Sequence, residues 1–305
     1  MNKQIKFFLK AIVSGAFLGW ILVTTNWSEV WFYIKEVEIW HLIIYLVILF
    51  LGFTISSYKW KLLADSKEIH YPYREIFQLY FIGTFINNFM PSFIAGDAYK
   101  AMAIGNRDKK LTQAASTVMM DRITGFVGAT VLLFLFNLVN FHTMIQHKLL
   151  LIANFIILAS FIIDFILYLS RRSSGLKRIL RKIMPSKIIE FFWELGYYNK
   201  KAIMQSILLG IIFSFIGVAM LNYVLFQTLG IEIGMLNYLS VIFLIAIISS
   251  IPVSVNNIGI KEWAYVTFFG LFGLNASAVL TVAIISRTIQ MVVSFAALPM
   301  YLRRK

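Results

Sequence analysis

Six long stretches of the sequence are almost entirely apolar, and they constrain the fold more than any other feature. They cover residues 7–24, 40–58, 112–141, 148–169, 202–228 and 276–302. About 20 mainly apolar residues cross a bilayer as an α-helix. Only 14% of the residues are charged, against about 25% in soluble domains. The sequence therefore predicts an all-α polytopic membrane protein. We interpret its net charge of +14 as a topology signal rather than a nucleic-acid-binding surface.

Two further apolar stretches, 76–95 and 236–272, are interrupted by proline and by small or polar residues. Proline breaks the helical hydrogen-bond ladder, and glycine permits sharp backbone turns. Interrupted helices at membrane depth occur only where they are buried in protein or line a cavity. We therefore expect two re-entrant helical hairpins. The residues expected to shape them are Asn87, Asn88, Pro91 and Gly96 in the first and Pro252, Asn256, Asn257 and Gly259 in the second.

The distribution of basic residues predicts the topology. With the N-terminus in the cytoplasm and both hairpins re-entrant, 23 of the 28 Lys and Arg residues fall in cytoplasmic segments. The outer loops then hold only Lys35 and Lys148, as the positive-inside rule requires. This pattern predicts six spans in the cytoplasmic membrane with both termini in the cytoplasm. An eight-span alternative, which helix length leaves open, would expose Arg107, Lys109 and Lys110 outside.

The spacing of charged residues predicts an internal repeat. The interval from Asp97 to Arg122 is the same as the interval from Glu262 to Arg287. Each half has the order span, span, hairpin, span, and an odd number of spans turns the second half upside down. We therefore predict one membrane domain, 1–305, made of inverted repeats 1–145 and 146–305. Paired broken helices in inverted repeats mark the substrate site of many alternating-access transporters.

Arg122 and Arg287 each lie about ten residues into a predicted span, roughly 15 Å deep. A charge at that depth costs several kcal/mol unless it has a partner. Asp97 and Glu262 are the expected counter-ions. The ion pairs could serve only to hold helices together. Alternatively, each arginine binds an anionic lipid head group, since its planar fork matches two phosphate oxygens, and the acid acts as a gate.

Three more charged residues belong to the predicted counter-ion and gating group. Lys100 follows Asp97 at the i,i+3 spacing and is expected to pair with it along the helix. Lys261 stands beside Glu262 and is expected to play a similar part. Asp121 cannot share a helix face with its neighbour Arg122, so it pairs elsewhere or titrates.

The sequence offers no catalytic or metal-binding pattern. It has no cysteine, and its four histidines show no metal-ligand spacing. It also lacks a Gly-rich phosphate loop of the kind that binds ATP. We therefore expect no catalytic residue, no metal, no cofactor and no ATP-driven pumping.

The run Asn87–Lys100 (NNFMPSFIAGDAYK), followed by Arg122-Ile123-Thr124-Gly125, resembles the lysylphosphatidylglycerol synthase transmembrane-region family, also called the flippase-like domain family. The second half agrees at Ile251-Pro252, at Gly259-Ile260-Lys261-Glu262 and at Arg287. The resemblance covers nearly the whole chain. Two departures stand out. Asn256-Asn257 replace an expected Gly pair, and Lys100 stands where Arg is common, which weakens bidentate phosphate binding at position 100.

In fused members of that family, a soluble aminoacyltransferase domain follows the membrane domain and attaches lysine to phosphatidylglycerol. This chain stops at Lys305, soon after its last span, so the resemblance implies the lipid-translocating part rather than an enzyme. The expected function is movement of an anionic or aminoacylated phospholipid, or a lipid-linked sugar, between leaflets. The alternatives are a membrane component serving a separately encoded lysyl-phosphatidylglycerol synthase and a scaffold for an envelope glycosyltransferase. The oligomeric state is not indicated.

Overall fold

The computed structural model describes residues 12, 19–20, 23, 26–90, 94–107, 109–170, 191, 194–251, 254 and 257–304. All regular elements in these ranges are helices. They are α1 (Trp27–Lys35), α2 (Ile39–Asp65), α3 (Tyr73–Phe89), α4 (Ala95–Gly105), α5 (Leu111–Val139), α6 (Phe141–Gln146), α7 (Lys148–Ser170), α8 (Lys200–Thr228), α9 (Met235–Ser249), α10 (Ile260–Gly270) and α11 (Ala276–Leu302). Most of the predicted span 7–24 and the hairpin residues Pro91, Pro252 and Asn256 lie outside the described residues.

Four of these helices, α2, α5, α8 and α11, are long and apolar enough to cross a membrane. They coincide with predicted spans to within a few residues, except that α2 continues to Asp65 instead of ending at 58. Helix α9 and the described part of α7 are shorter apolar helices. The structure thus confirms an all-α, multi-pass membrane protein.

The centre of the bundle is held together by direct backbone contact between α5 and α8. A Cβ atom added to Gly128 would lie 2.4 Å from the carbonyl carbon of Gly210. One added to Gly210 would lie 2.5 Å from the carbonyl oxygen of Thr124. Small residues permit this close approach, which supplies van der Waals contact where lipid provides no hydrophobic driving force. Because α5 and α8 belong to different halves of the sequence, this contact joins the halves.

Three helix bounds recur at one interval in the two predicted halves. Helices α4 and α10 start at 95 and 260 and end at 105 and 270, and the helices after them start at 111 and 276. Each of these bounds in the second half follows its counterpart in the first by the same interval. The packing is also reciprocal, since α5 of the first half packs on α9 of the second and α11 packs on α3. The repeat, its bounds and its inverted orientation stay predictions.

The segment just before α8 is attached to the first half by polar contacts. The Lys67 ammonium lies 2.8 Å from a carboxylate oxygen of Glu194 and 4.3 Å from the centre of the Tyr198 ring. The Tyr198 hydroxyl shares a 2.9 Å hydrogen bond with Ser116 on α5. Burial raises the pKa of Tyr198, so this phenol stays protonated at neutral pH.

Candidate functional site

The first hairpin is closed by contact between the backbones of α3 and α4. A Cβ atom added to Gly96 would lie only 1.8 Å from the carbonyl oxygen of Gly83. The Gly96 N–H donates a 2.8 Å hydrogen bond to the side-chain oxygen of Asn87 at the end of α3. These contacts place Asp97 in the first turn of α4, where it is buried. The neighbouring Asn88 instead contacts α11, donating to the Ser294 hydroxyl at 3.0 Å.

The buried Asp97 carboxylate is shared by two cations. Arg122 on α5 donates from Nε to Asp97 Oδ2. The Lys100 ammonium lies 2.9 Å from Asp97 Oδ1. Lys100 is enclosed by the rings of Tyr80 and Trp60, whose centres lie 4.5 and 5.3 Å from its ammonium. Both pairs that the sequence predicts for Asp97 therefore form.

Asp121 pairs with Lys59, which lies just beyond the predicted end of the second span at 58. The Lys59 ammonium lies 3.2 Å from Asp121 Oδ1 and donates a 2.7 Å hydrogen bond to the Asp121 carbonyl oxygen. Both side chains are at most 6% exposed. Lys59 belongs to α2 because this helix runs to Asp65, beyond the predicted end of the span at 58. The buried positions Trp60, Leu63 and Ala64, which continue the helical pattern, were the signal that could have shown it.

Replacing Lys59 with Met should strongly destabilise the protein, because the buried Asp121 would lose its cation. Removal of one partner from a buried ion pair typically lowers the free energy of unfolding by about 3–5 kcal/mol. We expect a clear fall in the thermal unfolding midpoint of the detergent-solubilised protein. The double variant Lys59→Met/Asp121→Asn should recover most of the loss. A double variant as unstable as the single one would contradict this account.

The second hairpin repeats the acid–arginine pair with different supporting contacts. Arg287 Nε donates to Glu262 Oε1 at 2.8 Å. The other carboxylate oxygen, Oε2, accepts a 2.8 Å hydrogen bond from the N–H of Gly259. An Arg287 Nη atom also donates to the Asn257 carbonyl oxygen at 3.1 Å. Gly259 and Asn257 have φ values of +88° and +54°. A left-handed turn of this kind is natural for glycine and tolerated by asparagine.

Lys261 bonds to Ser286 rather than acting as a surface partner of Glu262. Its ammonium donates to the Ser286 hydroxyl at 3.1 Å, which Tyr45 on α2 also contacts at 3.1 Å. Ser286 precedes Arg287 as Asp121 precedes Arg122. In both halves, therefore, a lysine from a neighbouring helix bonds to the residue just before the membrane arginine.

Two cavities meet at the ion pair of the first hairpin. One, of about 350 Å³, lies between the halves and is lined mainly by polar and charged side chains. The other, of about 430 Å³, is lined mostly by Ala, Val, Met, Ile and Phe side chains of α4, α5 and the hairpin breaks. Asp97, Arg122, Phe126 and Ser250 line both. Arg287 and Glu262 line neither of these two cavities.

The polar cavity carries an excess of positive charge. Among the described residues that line it, Lys59, Lys100 and Arg122 are cationic, and Asp97 and Asp121 are anionic. The cavity can therefore accommodate an anionic group. Within the described part of the chain, no three His, Asp or Glu side chains come together as metal ligands.

A family model described as the lysylphosphatidylglycerol synthase TM region matches residues 7–297. The match covers almost the whole sequence, and the chain therefore belongs to this family. The resemblance seen in the two hairpins is thus confirmed. No curated protein and no solved structure matches the chain.

Proposed function

We propose that this member of the lysylphosphatidylglycerol synthase TM-region family moves a phospholipid or a lipid-linked sugar between the two leaflets of the membrane. The observation that carries the proposal is the junction of a polar and an apolar cavity at Arg122. A ligand that fills both must have a charged head and a hydrocarbon tail. The apolar helices and the family support a membrane setting, in which such molecules are available.

The head group would be bound by Arg122 on α5, beside the first hairpin. A guanidinium can donate two parallel hydrogen bonds to a phosphate, which makes arginine the favoured residue for such recognition. Its side chain is 25% exposed and lines both cavities. In our proposal, Asp97 stabilises Arg122 within the membrane before the lipid arrives. When the lipid phosphate competes for Arg122, Asp97 releases the arginine and so acts as a gate.

The second hairpin would bind the head group at another stage of the cycle. Arg287 and Glu262 form the same pair as Arg122 and Asp97, but they line neither cavity. In an inverted repeat, the two halves exchange conformations to expose the site on alternate sides. We propose that the head group meets Arg122 and Arg287 at different stages of the cycle. In this proposal the protein lies in the cell membrane, both hairpins are re-entrant, and both termini face the cytoplasm.

Reconstitution into liposomes tests this function. Fluorescent phosphatidylglycerol or lysyl-phosphatidylglycerol would be placed in both leaflets, and dithionite would destroy the outer fluorescence. In sealed vesicles that contain the protein, we expect dithionite to destroy more than the half of the fluorescence that lies in the outer leaflet. Loss limited to the outer half, with a folded protein and with both lipids, would contradict translocation of these lipids. Lipid mass spectra before and after incubation should be unchanged, whereas a transferase component would alter lipid identity.

A further inference from the structure

We infer that the site at Arg122 selects a lipid whose head group carries one net negative charge, and that Lys100 sets this selectivity. The inference rests on the proposed function and deepens it by naming the charge class of the substrate. It follows from how the buried charges of the polar cavity are paired.

When the charged side chains that line the polar cavity are paired, one positive charge remains. Lys59 and Asp121 form a closed pair that contributes no net charge. Asp97 is shared by Lys100 and Arg122, so this group of three carries +1. Among the described residues of the second hairpin, Lys261 and Arg287 are cationic and Glu262 is the neighbouring carboxylate, which again leaves +1, although Lys261 bonds to Ser286 and not to Glu262. The ligand that neutralises either cluster carries a charge of −1.

The positions of the two cations divide their roles. Lys100 is only 5% exposed. Its side chain is confined by the rings of Trp60 and Tyr80 and by the backbone of Gly83. A Cβ atom added to Gly83 would lie 3.0 Å from Lys100 Cγ. It is therefore held at Asp97 and neutralises that carboxylate. Arg122, which lines both cavities, is the cation that can turn toward a ligand. Lys100 thus acts as a positioning residue that keeps the group of three at a net charge of +1.

This balance discriminates among lipids of similar shape. Electrostatic interactions are stronger in a low-dielectric site than in water, and an unmatched charge there is costly. A phosphodiester such as phosphatidylglycerol has one negative charge and balances the site. Phosphatidylethanolamine is neutral overall, and lysyl-phosphatidylglycerol is net positive, so both should bind less well. Rejection of a closely related head group by an unmatched charge is a general device of specificity.

Binding measurements on the purified full-length chain test the inference separately from transport. Displacement of a fluorescent lipid by phosphatidylglycerol, phosphatidylethanolamine and lysyl-phosphatidylglycerol would be compared in neutral detergent. The wild type should prefer phosphatidylglycerol about tenfold or more, a factor that corresponds to roughly 1.4 kcal/mol. Lys100→Met removes the excess charge and should reduce this preference to within about twofold.

Two matched variants separate charge from structure. Lys100→Arg keeps the charge and should keep the preference. Lys61→Met/Asp65→Asn removes an ion pair outside the cavity, so the cavity stays at +1 and the preference should also stay. If Lys100 were merely structural, Lys100→Met would weaken the binding of all three lipids equally. The ratio of their affinities would then stay unchanged, which would overturn the inference. Equal binding of the three lipids by the wild type would also overturn it. Failure to bind any lipid would overturn the proposed function as well.

Discussion

Arg122→Ala should reduce protein-dependent lipid movement by about 100-fold or more. The arginine lines both cavities and is the cation placed to bind a head-group phosphate. A hydrogen bond to a charged group contributes about 1.5–3 kcal/mol. The substitution removes two such bonds if the contact is bidentate. The rate of dithionite-sensitive fluorescence loss in proteoliposomes measures the effect. Arg287→Ala should give a comparable loss if both hairpins bind the head group in turn.

The conservative exchanges Arg122→Lys and Arg287→Lys distinguish phosphate recognition from simple pairing. Lysine keeps the charge beside Asp97 or Glu262 but lacks the planar fork of arginine. We expect both variants to fold with nearly normal thermal stability and to lose most of their transport. Full transport in stably folded Lys variants would rule out bidentate phosphate binding. It would leave the arginines as structural ion pairs.

Gly96→Ala should be the most damaging substitution of a small residue for the fold. The added Cβ would lie 1.8 Å from the Gly83 carbonyl oxygen, an atom of rigid helical backbone. Helices α3 and α4 would have to separate, and overpacking of this kind costs about 1–3 kcal/mol or more. The movement would also displace Asp97, the next residue. We expect a lower unfolding midpoint in detergent and loss of lipid transport.

Gly270→Ala is the matched control for the hairpin glycine. Gly270 ends α10 in the second hairpin, and nothing lies within 4 Å of the position of an added Cβ. This variant should be as stable as the wild type or slightly more stable, because alanine favours helix over glycine. Equal stability and transport in the two variants would show that the contact between Gly83 and Gly96 does not hold the first hairpin closed.

The two acid–arginine pairs could be predicted from the sequence because the physics of a membrane charge is so restrictive. An arginine at that depth requires a partner, and Asp97 and Glu262 recur at the same spacing before Arg122 and Arg287. The long helices were predictable for a similar reason, since membrane thickness fixes their length. Their observed bounds differ from the prediction mainly where α2 extends to Asp65.

The partners of the remaining charges depend on tertiary packing that the sequence does not encode locally. Asp121 and Lys59 are 62 residues apart, and the direction in which Asp121 points follows from how α5 lies against α2. Likewise, the contact of Lys261 with Ser286 arises where α10 meets α11. The cavities require side chains from both halves. No residue spacing along one helix predicts such a volume.

The central claim, that the lipid head group passes through the polar cavity, is best tested by a thiol placed within it. The chain contains no cysteine, so Thr84→Cys, in the cavity lining, gives a single reactive site. Tyr197→Cys, at an exposed position between α7 and α8, is the control. An anionic methanethiosulfonate reagent should abolish transport by the Thr84 variant alone, and phosphatidylglycerol should slow its modification. Complete modification of the Thr84 variant with undiminished transport would contradict the account.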